Sequence, residues 1–364
     1  MSYPVQQNKY AVEIYQIDVT NSRLIRFDSI TTFKNLSYDN TLDAVGAASF
    51  DLSVQDPKAS ATNLVRFRNV VAIKRNGGIV WAGPITDING SYTDVKGYLT
   101  ISCNSWLYHL QARLTDAIKY YPAQDISLIA WDLINTAQTR TNGYLGITQG
   151  STPTSITRDR SYEYKPMSDC LIEMSQIISG FDFDFTYVTN SNNKLTGVLF
   201  NTYPNRMGTI RKDLNPFTVG RNVKKVEITT SGQPIYNYST MTGAGTGENL
   251  YTSQIEYANS ELAFTRREVY QSVSDAALAT TVSYYNAAYL NTYSVESALI
   301  DLNLYQNKYP LLGDYNIGDT VFLNSAVGSS YLNFTNKPAR VVKIQVQVDD
   351  QGAETIIPRL QMLL

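Results

Sequence analysis

The sequence predicts a mainly β protein with an α/β insertion, an α+β chain overall. Three observations predict it. Several short segments alternate apolar and polar residues with a period of two. An Asn-Gly pair sits between two apolar runs. A pair of helix-period segments lies between β-like stretches rather than at either end.

The elements follow in chain order. Tyr10-Ala-Val-Glu-Ile-Tyr-Gln-Ile17 reads as a strand. In Ala48-Ser-Phe-Asp-Leu-Ser-Val54 the alternation is strict, which predicts a strand with one wet face. Val70-Val-Ala-Ile73 leads into Arg75-Asn-Gly-Gly78, and Ile79-Val-Trp-Ala-Gly83 leads out. Asn-Gly supplies the positive φ that a tight hairpin turn requires. Tyr98-Leu-Thr-Ile-Ser-Cys103 is a further strand.

The pattern then changes. Ile126 to Ala137 carries apolar residues at helical spacing. Ser168 to Ile178 predicts a second helix, with Ser168 or Asp169 as cap after Pro166 and Gly180 as the stop. Residues 138–160 between them are polar and rich in Thr, Gly and Ser. Phe181-Asp-Phe-Asp-Phe-Thr-Tyr-Val188 alternates again, and Asn190-Ser-Asn-Asn193 turns it into Leu195–Phe200. Val223–Thr230 returns to β pattern. A glycine-rich loop, Thr242–Glu248, follows. Ser272 to Tyr293 is helix-compatible, with Ser274-Asp275 as its cap. Gly313–Leu323 reads as a turn feeding a strand. The last hairpin runs Arg340–Val348, a turn at Asp349–Gly352, and Thr355–Met362. No solenoid or propeller repeat is present.

Composition narrows the function. The 364 residues are 43% hydrophobic and only 17% charged, against about 25% charged in ordinary domains. Tyrosine is abundant, at 27 residues against 12 Phe. This hydrophobicity excludes a disordered chain. No apolar run approaches the roughly 18 residues of a membrane helix. Thirty basic and 32 acidic residues leave a net charge of −2, so no basic excess drives nonspecific DNA binding. The pairs Lys224-Lys225 and Arg266-Arg267 are too short to be basic patches. The start, Met1-Ser2-Tyr3-Pro4-Val5, has neither a charged nor an apolar leader region. The expected site of synthesis is therefore the cytoplasm, and the four sequons, at Asn35, Asn89, Asn237 and Asn333, are expected to be chance. Cys103 and Cys170 form neither a disulfide framework nor a zinc site, and are expected as buried thiols.

Little in the chain points to catalysis. The one histidine, His109, lies in Trp-Leu-Tyr-His-Leu and cannot form a His-based metal site alone. No Gly-x-Ser-x-Gly elbow occurs. Asp182 and Asp184 share one strand face about 6.5–7 Å apart, a spacing that suits an inverting glycosidase. Phe181, Phe183 and Phe185 alternate with them, which predicts a Phe face in the core and an Asp face in water. The Gly243–Gly247 loop lacks the Gly-Lys-Ser/Thr ending of a phosphate cradle. Tyr120, Tyr121, Tyr284, Tyr285, Tyr289 and Tyr293 permit a sugar platform, a protein interface or self-packing, and the residues alone leave these open.

The order of the motifs resembles a known family. Ala48-Ser-Phe-Asp-Leu-Ser-Val-Gln-Asp-Pro57 precedes Val70-Val-Ala-Ile-Lys-Arg-Asn-Gly-Gly-Ile-Val-Trp-Ala-Gly-Pro-Ile85. Asp169-Cys-Leu-Ile-Glu-Met174, Gly180-Phe-Asp-Phe183 and Gly318-Asp-Thr-Val321 follow. This series is similar to the tail hub proteins of long-tailed bacteriophages, the baseplate-hub or minor tail proteins. Larger relatives carry a C-terminal extension with cleaving or receptor-binding domains, and with its end near residue 364 the chain is expected to depart from them in lacking it.

The resemblance implies a homotrimer. Each subunit would give two small β-barrel domains to a ring, three subunits making a pseudo-sixfold torus at the tail tip of a virion. Residues 1–112 would be the first barrel, completed by about 206–240. Residues 113–205 would be the inserted α/β domain, and 241–364 a second β-rich domain with one helix. Implied partners are a distal tail or tail-tube ring, a tail-tip or fibre protein and the tape-measure protein, with DNA only in transit. A weakly charged, slightly acidic chain suits such a lumen. No cofactor, metal or catalytic residue is implied. Asn76, Gly77 and Gly78, and Gly243, Gly245 and Gly247, are expected at edges or contacts. The rival expectation is a carbohydrate-binding receptor-recognition or baseplate accessory protein.

Overall fold

The computed structural model describes residues 8–94, 96–150, 154–177, 180–230, 235–274 and 276–363. Seven strands come first: β1 (Tyr10–Asp18), β2 (Arg23–Ile30), β3 (Lys34–Thr41), β4 (Ala47–Ser53), β5 (Asn69–Arg75), β6 (Gly78–Tyr92) and β7 (Gly97–Asn104). The first insertion holds β8 (Lys119–Asp125), α1 (Ile126–Thr139), β9 (Ile147–Gln149), β10 (Thr157–Tyr162), α2 (Met167–Ser175), β11 (Phe181–Thr189) and β12 (Leu195–Pro204). Two strands, β13 (Phe217–Thr218) and β14 (Val223–Thr230), lead to a second insertion. That one contains β15 (Tyr238–Thr242), β16 (Thr252–Glu256), α3 (Ala258–Phe264), β17 (Glu268–Ser272) and α4 (Ala279–Tyr293). The chain finishes with β18 (Ser297–Leu304), β19 (Thr320–Ala326), β20 (Asn333–Val348) and β21 (Glu354–Leu363).

The α+β expectation describes this architecture. The two closed barrels do not. The N- and C-terminal strands form one thirteen-stranded sheet whose main path runs β14-β18-β21-β20-β3-β4-β7-β6-β5-β1-β2. Among the described residues the path is open, with β14 and β2 at its ends and β13 and β19 branching from β20. The join is β3 against β20, antiparallel from Leu36↔Val348 to Thr41↔Lys343. One core therefore serves both halves, with Val12, Phe50 and Trp81 packed in the same cluster as Phe217, Ile300 and Leu360. Within the segment 206–240, expected to complete the first barrel, β13 pairs with β19 and β14 with β18.

The run Val70-Val-Ala-Ile73 is apolar throughout because β5 is covered on both faces. Val71 and Ile73 point into the shared core. Val70 and Ala72 point the other way, into a second core with Trp106, Leu133 and Phe200 of the first insertion. The turn after β5 forms as its residues dictate: Asn76 at φ 52° and Gly77 at φ 88° make a tight two-residue hairpin.

The helices differ from expectation in detail. Asp125 caps α1 by accepting from the Ser127 amide at 2.8 Å. In α2 the N-cap is Pro166, and Ser168 and Asp169 lie inside the first turn; Ile178 lies outside the described residues. The stretch 272–293 is not one helix. Glu268–Ser272 extends beside β15 in parallel, and α4 starts only at Ala279; Asp275, half of the expected cap, lies outside the described residues. Among the described residues the C-terminal region thus carries two α-helices rather than one, in a small unit set between the paired strands β14 and β18. There Val282 of α4 packs against Met241 and Ala276.

Candidate functional site

Asn76, Gly77 and Gly78 are exposed at the tip of the β5–β6 hairpin. Asn76 is tied to the start of the chain. Its Oδ1 accepts from the Lys9 amide at 3.0 Å, and its own amide donates to the Lys9 carbonyl at 2.8 Å. The glycine loop divides. Gly245 and Gly247 are exposed, but Gly243 is buried, and a Cβ there would meet Val282 Cγ2 at 2.4 Å. Gly243 is therefore a packing position in the second insertion, not a surface contact.

Asp182 and Asp184 are not on a wet face. Asp182 is only 6% exposed, because the C-terminal half covers this side of β11. Its Oδ2 accepts from Arg340 Nη2 and from the Met207 amide. Arg340 also donates to the carbonyls of Gly318 and Met207, each at 3.3 Å. Asp184 accepts from Asn201 Nδ2 at 2.8 Å and Tyr203 Oη at 3.2 Å. Burial pushes its carboxyl up from the usual range. The alternation of Phe and Asp implied a solvated face because the residue covering it, Arg340, lies far away in sequence.

A third acid, not singled out by any local motif, completes this place. Asp43, in the turn after β3, accepts from the Phe183 amide at 2.8 Å. Burial, and then the neighbouring Asp182, push the Asp43 carboxyl up to about 8. A cavity of about 320 Å³ opens beside it, lined by Asp43, Asp184, Trp106, Phe183, Phe185 and Met207 among others. The turn after β3, the first insertion and the C-terminal half all meet here.

The Gly318-Asp-Thr-Val321 motif builds the third wall. Gly318 (φ 87°) and Gly208 (φ 82°) pass so closely that a Cβ on Gly208 would lie 2.3 Å from the Gly318 carbonyl carbon. Only glycines allow this backbone crossing. Asp319 then accepts from the amides of Thr209 and Asn316 at 2.8 and 2.9 Å. Arg206 donates to Thr320 Oγ1 at 2.8 Å and the Gly318 carbonyl at 3.1 Å.

Two further polar contacts hold the insertions. Glu13 on β1 receives Lys194 at 2.8 Å, Arg26 at 3.0 Å, Lys74 at 3.0 Å and the Tyr15 hydroxyl at 2.6 Å. Burial raises this carboxyl, but the hydrogen bonds from Lys194, Tyr15 and Lys74 outweigh it and hold it at about 2. Lys194 lies in the β11–β12 turn, so this pairing pins the first insertion to the sheet. At the other end, buried Asp159 accepts from Thr281 Oγ1 and from the Ala277 amide, joining β10 to the second insertion.

The same contact explains part of the tyrosine stripe. Arg158 stacks on Tyr284 at 4.3 Å and Arg160 on Tyr285 at 4.7 Å. Tyr289 and Tyr293 pack at 4.5 Å and both meet Tyr236. These rings cover one another and the first insertion. Tyr121 is buried, whereas Tyr120 is exposed. Cys103 and Cys170 are free and buried. His109 packs edge-on against Trp106 at 5.7 Å, and burial, with Arg113 nearby, lowers its imidazole to about 4. Among the described residues no group of three or more His, Cys, Asp or Glu is placed to hold a metal. Among the described residues no helix is long and apolar enough to cross a membrane.

Comparison with known proteins bears on the fold alone. No family of sequences matches the chain, and no curated protein does. Solved structures do. The chain is similar to the 43 kDa tail protein of prophage MuSo2 from Shewanella oneidensis, with TM-score 0.62 and 11% identity over 96% of this chain and 98% of that one. A tail protein from Neisseria meningitidis gives TM-score 0.62 and 11% identity over 97% and 96%. Prophage tail protein gp18 from Listeria monocytogenes gives TM-score 0.56 and 12% identity over 96% and 94%. The chain thus has the fold of phage tail proteins along nearly its whole length.

Proposed function

We propose that the chain is a structural, non-enzymatic subunit of a phage tail tip or baseplate. Three copies form a hub ring that adapts the tail tube or distal tail ring to the tip and passes DNA through its lumen. The observation that carries this reading is the fold likeness to tail proteins from end to end of both chains. The shared core of the two β halves supports it, since a ring subunit must transmit load as one body. The net charge of −2 supports an opening that does not grip passing DNA. The partners under this reading are further copies of the chain, the tail-tube or distal tail ring, a tip or fibre protein and the tape-measure protein. Light scattering and negative-stain imaging of the purified chain at high concentration test it. Trimers with a central opening are the expected result. A copy number other than three at the tip of assembled particles refutes the hub.

One observation favours a second reading, a glycan-binding accessory surface. Tyr270 on β17 is 64% exposed, and its hydroxyl lies 2.9 Å from Thr242 Oγ1, two residues along β15 from its pairing partner Thr240. To reach it, the ring must lie across the sheet face opposite α4, with Gln254 and Thr240 alongside. A glycan array that gives no signal removes this reading.

A further inference from the structure

One edge of the first insertion's sheet is open. That sheet runs β11-β12-β9, so β11 has a strand neighbour on one side only. Two sets of contacts fix where its backbone groups point. Phe183, opposite Thr202 of β12, donates its amide to Asp43 instead. Phe185 and Tyr187 lie opposite Phe200 and Val198. Those two direct their own backbone groups to the far side of β12: the Val198 amide donates to the Gly146 carbonyl and the Phe200 carbonyl accepts from the Gly150 amide, each at 2.9 Å. Opposed antiparallel residues either exchange both hydrogen bonds or point both groups outward. Phe185 and Tyr187 therefore turn their N–H and C=O groups away from β12, as Phe183 does. Among the described residues no backbone group pairs with them there.

This edge borders the cavity of about 320 Å³, whose lining takes in residues 183–187 and the β3–β4 turn. Asp43 closes the start of the edge by standing in for a neighbouring strand at Phe183. Natural sheets guard a free edge with Lys, Pro or a bulge. No Lys or Pro lies in 183–187, and the bulge of β11 comes only between Val188 and Thr189. The lining also has one sign of charge: it holds Asp43 and Asp184 and no Lys, Arg or His. Asp184 takes its hydrogen bonds from neutral donors, Asn201 and Tyr203. Arg340, the nearby cation, is bound to Asp182 and to the carbonyls of Gly318 and Met207.

We propose that the open edge of β11 takes an extended segment of a partner protein as an added strand, with a Lys or Arg side chain opposite Asp184. An added strand supplies what the edge lacks, a row of backbone donors and acceptors about 4.8 Å away. A residue opposite Asp184 shares its face, with Cβ atoms about 4.5–5.5 Å apart. Asp43 lines the same cavity at that end, so a cation there faces two carboxylates, whereas an acid there is repelled. The residues on either side of the cation point to the other face, where the ring of Phe185 is half-buried, and apolar side chains suit them. A free amine would answer the carboxylates but leave the edge unpaired. The site lies within one copy of the chain and does not depend on the proposed ring.

Hydrogen-exchange mass spectrometry of the full chain tests the site with three synthetic peptides at millimolar concentration. They are acetyl-Thr-Val-Lys-Val-Thr-amide, the same peptide with Glu for Lys, and the Lys peptide N-methylated at its three central residues. The Lys peptide is expected to slow exchange in segment 184–188 about threefold or more, and the other two to leave it unchanged. No slowing by the Lys peptide overturns the proposal. So does equal slowing by the Glu peptide, which removes the role of the acids, or by the N-methylated peptide, which removes the added strand. The variant Asp43→Asn/Asp184→Asn keeps acceptor oxygens for the Phe183 amide and for Asn201, and is expected to bind the Lys and Glu peptides alike. A retained preference for Lys overturns the proposal. The native chain alone is expected to exchange segment 184–188 at a rate independent of its concentration. Protection that disappears on dilution shows that a second copy fills the edge, and overturns the proposal of a separate partner.

Discussion

Glu354 gives the sharpest test of the shared core. It opens β21, yet its partners are on β1 and β5. Its carboxylate accepts from Arg75 Nε at 2.6 Å, Arg75 Nη2 at 2.9 Å and Tyr10 Oη at 2.5 Å. The Glu354 side chain is 1% exposed and that of Arg75 23%. Glu354→Gln keeps the shape but turns an amide NH₂ toward the guanidinium and leaves it without its counter-charge. Breaking a buried pair from one side costs about 3–5 kcal/mol. That is a large part of the roughly 5–15 kcal/mol that holds a typical domain folded. The double replacement Arg75→Leu/Glu354→Leu leaves no unpaired charge, so it is expected to cost less than Glu354→Gln alone. Guanidinium denaturation followed by fluorescence and by far-UV circular dichroism provides the assay. The expected result is a lower midpoint, coincident by both probes, with the slope unchanged. A loss below about 1 kcal/mol, the value of an exposed pair, refutes the reasoning. Two separate transitions in the native chain also refute it, since the halves would then not share one core.

Three other outcomes follow from the same contacts. Ile73→Ala removes a side chain fully buried in the shared core and is expected to cost about 2–5 kcal/mol, read by the same denaturation. Gly318→Ala places a Cβ 2.6 Å from the Met207 carbonyl oxygen at φ 87°; a lower melting temperature is expected, and an unchanged one contradicts the backbone crossing described above. Glu13 is held at about 2, below its ordinary 4.5, so its contribution is full above pH 4.5 and is lost as pH falls toward 2. Glu13→Gln is therefore expected to flatten the acid limb of a stability-against-pH curve between those values, and an acid limb as steep as the native one would show that Glu13 does not supply it.

Local chemistry determined a good deal by itself. Asn76 and Gly77 specify a turn because positive φ is a property of the residues at that position. The unbroken apolar run at 70–73 announces a strand buried on both faces, since either face exposed would cost its transfer energy. Helix α1 was legible because its apolar period lies within one segment. The order of weak motifs pointed to a tail-protein fold, and the structural likeness agrees.

The candidate site was not legible in the same way. Asp182 looked solvated because Arg340, 158 residues away, is invisible to any local pattern. Asp43 carries no signal at all in a Leu-Asp-Ala turn until Phe183 and Asp182 arrive beside it. Gly243 read as a surface loop because Val282, which packs on it, comes only with α4 at the far end of the same insertion. The merging of two expected barrels into one sheet depends on β3 meeting β20 across about 300 residues. Strand alternation says which residues face a core, but not which strand lies alongside, because every strand offers the same backbone donors and acceptors. The residues alone therefore determined the elements, their faces and their turns. The tertiary structure decided the partners: which edges join, and which acid meets which base.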